Sequence, residues 1–204
     1  MRTPLSVLKV QIALARRGTP ADRDGALDEI ATAVARLERL LVQLLALARA
    51  EEAGVAPPLE RVDLREVAVR VISRRIGDAI EAGVELQLDA PDAAVPVTGH
   101  RTLLVEILGN LVDNGIRYNR AGGTVTVAIG TTDGAMELSV RDDGPGIAAA
   151  DRERVFERFV RLGDPSGPDG SGLGLAVVRS AAARIGASVT LEDAAPGLIV
   201  RLRF

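Results

Sequence analysis

LLVEILGNLVDNGIRYN, residues Leu103 to Asn119, is the stretch around which the chain is organised. Leu104, Ile107, Leu108, Leu111, Val112 and Ile116 recur at helical spacing and predict one apolar face. Asn110, Asn114 and Tyr118 recur at i, i+4 and i+8, a second stripe along the same helix. Asparagine is a poor mid-helix residue, because its amide competes for nearby backbone groups. Two of them stacked one turn apart therefore need a reason. One is a pair of amides aimed at a polyphosphate and its metal ion, with an aromatic ring beside a base. The other is a polar face meeting solvent, and this stretch alone does not choose.

Composition narrows the field. At 204 residues the length admits one domain or two, and 47% hydrophobic residues suffice for a real core. A net charge of -3 leaves no basic footprint for nucleic acid. Without cysteine there is neither a disulfide framework nor a thiolate metal site, and the single histidine, His100, excludes zinc held by several imidazoles. The single lysine, Lys9, lies far from any glycine-rich loop, so a Walker-type phosphate loop is absent. The longest strongly apolar run, Leu40–Ala48, is broken by Gln43 and bracketed by Arg39 and Arg49, too short to span a bilayer. No signal peptide is visible, so the chain is expected to be soluble as written.

Taken in order, residues 1–17 read as a helix with Leu5, Leu8, Ile12 and Ala15 at spacings of three and four. Gly18-Thr19-Pro20 is a turn, and Asp22 is a fair N-cap for a helix running to about Glu52. Leu27, Ile30, Val34, Leu37, Leu41, Leu44, Leu45 and Ala48 give it a coiled-coil or bundle seam. A hairpin alone cannot bury both apolar faces, so a four-helix homodimer is expected; the alternative is packing on the rest of the chain. Residues 53–58, with Pro57-Pro58, form a semi-stiff linker and the expected domain boundary. Beyond it come a helix over 64–81 capped by Asp63, strands at 84–88 and 95–98, the central helix, and alternating runs at 124–129 and 136–141. Residues 143–171 are long for a loop, a helix follows at 173–185, and strands close the chain at 188–191 and 198–204. The mixture predicts an α+β layer of sheet against helices.

Three further stretches join the central helix. In Val140-Arg141-Asp142-Asp143-Gly144-Pro145-Gly146-Ile147 a strand delivers a carboxylate to its end, then glycines let the backbone turn and approach a ligand. An aspartate there can accept from an adenine amino group and reject guanine; standing alone it is an ordinary turn. Gly170-Ser171-Gly172-Leu173-Gly174-Leu175 enters a helix, where free N–H groups favour an anion, although Leu175 breaks the dinucleotide pattern. Val155-Phe156-Glu157-Arg158-Phe159 carries two of four aromatics, either pins of a movable flap or simply buried anchors of the loop.

In this order the stretches resemble the N, G1, F and G2 boxes of sensor histidine kinases. Arg2-Thr3-Pro4-Leu5 looks like the end of that family's H box, H-E-x-R-T-P-L. The resemblance covers essentially the whole chain. It implies a dimerisation and phosphoacceptor hairpin at 1–52, then a Bergerat-type (GHKL) ATP-binding α/β sandwich at 59–204. It implies ATP or ADP with Mg²⁺ as ligands, a response-regulator receiver domain as partner, homodimerisation through 1–52 and a cytoplasmic location beneath an inner-membrane sensor. By the same resemblance Asn114 meets the Mg²⁺, with Asn110 in the phosphate and metal neighbourhood. Arg117 lies near the phosphates, Tyr118 against adenine and Asp142 on its exocyclic amine. Gly144 and Gly146 shape that pocket, and Gly170, Gly172, Leu173 and Gly174 flank the triphosphate. Relatives that hydrolyse ATP look to carry a glutamate base where this chain has Asn110, and an amide cannot take a proton from water.

The chain departs from the family at the acceptor. Met1 stands two places after the expected histidine, so histidine and neighbouring acid would lie upstream; truncation is preferred to natural loss because Arg2-Thr3-Pro4-Leu5 is intact. His100 is read as structural, at the start of the central helix. The chain is expected to bind nucleotide without autophosphorylating. Thr3 is either a residue orienting water to dephosphorylate the partner or a helix cap. The competing reading is a catalytically silent, nucleotide-dependent scaffold. An anti-sigma-type serine kinase would not explain the hairpin.

Overall fold

The computed structural model describes residues 10–15, 23, 25–27, 29–30, 33–34, 59–162 and 171–204. The chain divides into two compact units, Met1–Ala46 and Leu47–Phe204. In the first unit the described residues are helical. Ala26 and Ala33 are buried, whereas Ile12 of the first expected helix and Leu27 and Val34 of the expected seam are 45%, 56% and 41% exposed. The turn at 18–20, Asp22, the linker at 53–58, Thr3 and Gly170 lie outside the described residues.

The second unit begins with β1 (Glu60–Asp63), which pairs antiparallel with β3 (Pro96–Gly99). At four residues β1 is too short to show a period, and the sequence reading had no strand there. Asp63 ties the unit together locally. One of its carboxylate oxygens accepts from Arg65 N at 3.0 Å, capping α1 (Leu64–Ala82), and from Val95 N at 2.9 Å. Gly83 ends α1 in the left-handed conformation (φ 65°), its N–H returning to the last turn. Gly83 O accepts from Gly122 N and Gly123 O from Glu85 N, starting β2 (Glu85–Asp89) beside β4 (Thr124–Thr132).

The main sheet has five strands in the order β2-β4-β5-β7-β6, with β5 at Ala135–Asp142, β6 at Ser188–Asp193 and β7 at Leu198–Arg203. The β2–β4 pair is parallel, joined through β3 and α2 (Arg101–Arg117), and the remaining pairs are antiparallel. Helices α1, α2 and α3 (Gly174–Arg184) bury Val67, Val71, Leu104, Ile107, Leu108, Leu111, Val178 and Ala182 in one core with Val125, Val127, Leu138, Val140 and Leu202 of the sheet. Alternation along β4 places Val125, Val127 and Ile129 inward, the pattern that marked it as a strand. Gly115 lets α2 lie close on the sheet, since a Cβ there would stand 3.0 Å from Val125 Cγ2.

On the other sheet face, Glu137 of β5 is buried beneath two arginines of β7, Arg201 and Arg203, which both donate to its carboxylate. Burial raises the Glu137 pKa, but the two arginine hydrogen bonds and their charge outweigh it and hold the group below its usual value. Its stabilising effect is therefore present above the ordinary carboxylate pKa and lost as pH falls through the depressed folded value. Glu137→Ala leaves two guanidinium groups without their shared acceptor and is expected to destabilise the unit by about 2 kcal/mol. Urea unfolding should show a lowered midpoint at unchanged slope, with the difference from wild type shrinking on acidification.

Candidate functional site

The amide stripe of α2 does not face open solvent. Asn110 Nδ2 donates to Glu106 O at 2.9 Å, one turn back, which fixes the amide and turns Oδ1 away from its own helix. Against the two amides stands the first residue of α3. A Cβ on Gly174 would lie 3.3 Å from Asn110 Oδ1 and 3.4 Å from Asn114 Nδ2, so the glycine lets the helix approach the amides without crowding them. Just ahead of it, Ser171 Oγ accepts from Leu173 N at 3.2 Å, and Leu173 is fully buried at the N-cap position. The N–H groups of the first turn of α3 and two amide side chains thus share one edge.

One turn beyond Asn114, Tyr118 closes α2 as its C-cap, donating its backbone N–H to Asn114 O at 2.9 Å. The helix runs Arg101–Arg117, so Tyr118 and Asn119, expected within it, lie just past its end. Asn119 bridges the turn to β4, donating Nδ2 to Thr124 O at 3.0 Å. Arg117 is half-buried in the last turn, where a positive charge also suits the helix dipole. His100 takes the N-cap position of α2 but its side chain makes no cap hydrogen bond; it is buried instead.

Asp142, the last residue of β5, is half-buried. Its Oδ1 accepts from Gly144 N at 2.9 Å and from Leu198 N at 3.3 Å. Oδ2 has no hydrogen-bond partner among the described residues. Burial raises the Asp142 pKa, the two N–H donors lower it, and the neighbouring charge of Asp143 raises it; the net direction is upward. Gly144 must be glycine, because a Cβ would stand 2.7 Å from Tyr118 O. Gly146 has φ 71° and a Cβ there would meet Gly197 O at 2.8 Å.

Gly197 is the residue the sequence reading missed. With φ 103° it lies flat against the Asp142 carbonyl, and only its Pro196-Gly197 turn chemistry could have pointed to it. Asp143 was quoted without a role; its Oδ2 accepts from Thr124 N at 2.9 Å and fixes the start of β4.

The two phenylalanines part company. Phe156, in the 3-10 turn Arg154–Phe156, is buried, whereas Phe159 is 63% exposed at φ 64°. Phe159 N donates to Gly172 O at 2.9 Å, and a Cβ on Gly172 (φ 69°) would stand 2.7 Å from Phe159 C. The structure therefore joins Asn110, Asn114, Gly172 and Gly174 at one edge, and Tyr118, Asp142, Gly144 and Gly146 at another, with the last two turns of α2 connecting them.

Residues 99–204 match the family described as histidine kinase-, DNA gyrase B- and HSP90-like ATPases, and the chain belongs to that family. It carries the ATP-binding catalytic domain of two-component sensors. It is 35% identical over 181 residues to sensor protein kinase PmrB of Pseudomonas aeruginosa, covering 88% of this chain and 37% of PmrB. With the sensor-like histidine kinase SenX3 of Mycobacterium tuberculosis it shares 40% identity over 151 residues, covering 72% of this chain and 36% of SenX3. The solved structure of full-length ShkA in complex with AMPPNP is similar over 99% of this chain and 43% of ShkA, with a TM-score of 0.76 and 28% identity. The chain spans less than half the length of these relatives. Among the described residues no helix is long and apolar enough to cross a membrane.

The raised Asp142 pKa makes a signed prediction. Between its ordinary value and its folded value the folded chain binds the extra proton, so the ligand-free unit loses stability as pH rises through that window. Asp142→Asn removes the buried charge and should raise the melting temperature of the ligand-free protein at pH 7. Calorimetry of the ligand-free protein across that pH window checks the sign.

Proposed function

We propose that the chain is the cytoplasmic ATP-binding and dimerisation core of a two-component sensor histidine kinase. Its reaction passes the ATP γ-phosphate to a histidine and then to an aspartate of a response-regulator receiver domain. The observation that carries this reading is the meeting of Asn110, Asn114 and the glycine-led start of α3, one helical turn from the Asp142 edge. In it, Asp142 Oδ2 accepts from the exocyclic amine of adenine, where guanine would present a carbonyl. Tyr118 lies against the ring, and Gly144 and Gly146 let the backbone approach it. Arg117 lies near the phosphates, and Gly170, Gly172, Leu173 and the N–H groups at Gly174 are the candidates for flanking them, where the α3 dipole favours negative charge.

Asn110 and Asn114 would hold Mg²⁺ together with the phosphates. Neutral amide oxygens suit a hard cation that keeps waters and shares phosphate oxygens, and Asn110 Oδ1 is already turned outward by the Glu106 hydrogen bond. Bound there, the ion neutralises charge on the transferring group. Asn110 cannot act as a base toward water, so this edge favours a nucleophile brought to it over hydrolysis. The exposed Ile12, Leu27 and Val34 support a homodimer through 1–52, in which a second copy covers them. Thr3 is the candidate for orienting water when the receiver is dephosphorylated.

Titration with ATP, with and without Mg²⁺, tests the reading. Wild type should bind ATP with a clear Mg²⁺ dependence, and Asn114→Ala should flatten that dependence. Incubation with labelled ATP should leave no acid-labile phosphohistidine on these 204 residues, since His100 is their one histidine and is buried. A chain that ignores ATP, or that labels itself on His100, would overturn the proposal.

A further inference from the structure

Arg179 lies on α3, outside every motif of the sequence reading, and is itself exposed. Both of its recorded contacts go to one residue. Its Nη2 donates to Phe156 O at 3.2 Å, and its guanidinium carbon sits 5.2 Å from the centroid of the Phe156 ring. It forms no ion pair with a carboxylate among the described residues. A surface arginine that spends its hydrogen bond and its ring contact on the same buried phenylalanine is fixing that residue's position.

Phe156 begins a short span fastened to the α3 region at both ends. At one end Arg179 holds the Arg154–Phe156 turn. At the other, Phe159 N donates to Gly172 O, and Gly172 is pressed so closely on Phe159 and Val160 that no side chain would fit. Two residues further, Gly174 stands against Asn110 and Asn114. The strained φ of Phe159, 64°, is held by this attachment.

We propose that Arg179 is a positioning residue for the triphosphate end of the site. By clamping Phe156 it seats residues 157–160 on Gly172 and so sets how far the start of α3 advances toward the two amides. It touches neither Asp142 nor its glycines, so the adenine end is independent of it. The proposal rests on the nucleotide reading above.

The test compares ATP with adenosine on the same protein. Arg179→Ala is expected to weaken Mg²⁺–ATP binding roughly fivefold to tenfold, the combined worth of one cation–π contact and one charge-assisted hydrogen bond. Adenosine affinity should stay within twofold of wild type. Arg179→Lys, which keeps the cation over the ring but loses the planar fork, should fall between the two for ATP, and it carries the same comparison should the alanine variant not fold. Phe156→Leu should lower ATP affinity likewise, with the double variant no worse than either single one. Equal losses for ATP and adenosine, or unchanged ATP binding, would overturn the positioning role while leaving the nucleotide reading standing. Wild type binding neither ligand would overturn both.

Discussion

The rest of the domain depends on one close approach, that of the α3 N-terminus to the side of α2. Two asparagine amides occupy the space between the helices, and a Cβ at residue 174 would crowd them, 3.3 Å from Asn110 Oδ1. A side chain longer than a methyl group would have to displace either the amides or the first turn of α3, whose unpaired N–H groups share this edge with them. Packing of Leu104, Leu108, Val178 and Ala182 supplies the force that keeps the helices together. The polar edge supplies the geometry. Core and site are thus made by opposite faces of the same two helices.

A second constraint acts at the Asp142 end. Its carboxylate is half-buried in a place that disfavours its charge, and two backbone N–H groups only partly compensate. One oxygen is committed to those donors and the other has no hydrogen-bond partner among the described residues. A carboxylate held in this way costs the folded protein some stability, a pattern common at functional sites. The Glu137 cluster across the sheet shows the contrary arrangement, a buried carboxylate whose arginine donors outweigh its burial.

Much of this was legible in the residues. Helical spacing from Leu104 to Ile116 placed α2 within about two residues of its ends, and alternation placed β5 closely and the start of β4, which runs on to Thr132 beyond the expected Ile129. Asp63 marked the start of α1 because capping is local chemistry. What escaped was non-local. β1 is too short to carry a period and exists because β3 pairs with it. Gly197 matters only because the fold lays it on Asp142, 55 positions earlier in the chain by their numbering. Nothing in Phe156 and Phe159 foretold that one would be buried and the other exposed, since that depends on where Arg179 and Gly172 come to lie. The amide stripe was readable as unusual, but its neighbour across the gap was not.

The position of β7 bears on how such a molecule is made. Leu198–Arg203 is an interior strand, inserted between β5 and β6, and Leu198 also completes the setting of Asp142. A ribosome delivers these residues after every other strand of the sheet. Until they emerge, β5 and β6 wait with open edges and the carboxylate lacks one of its two donors. Vectorial synthesis therefore completes the interior of the sheet and the setting of the Asp142 carboxylate in one late event.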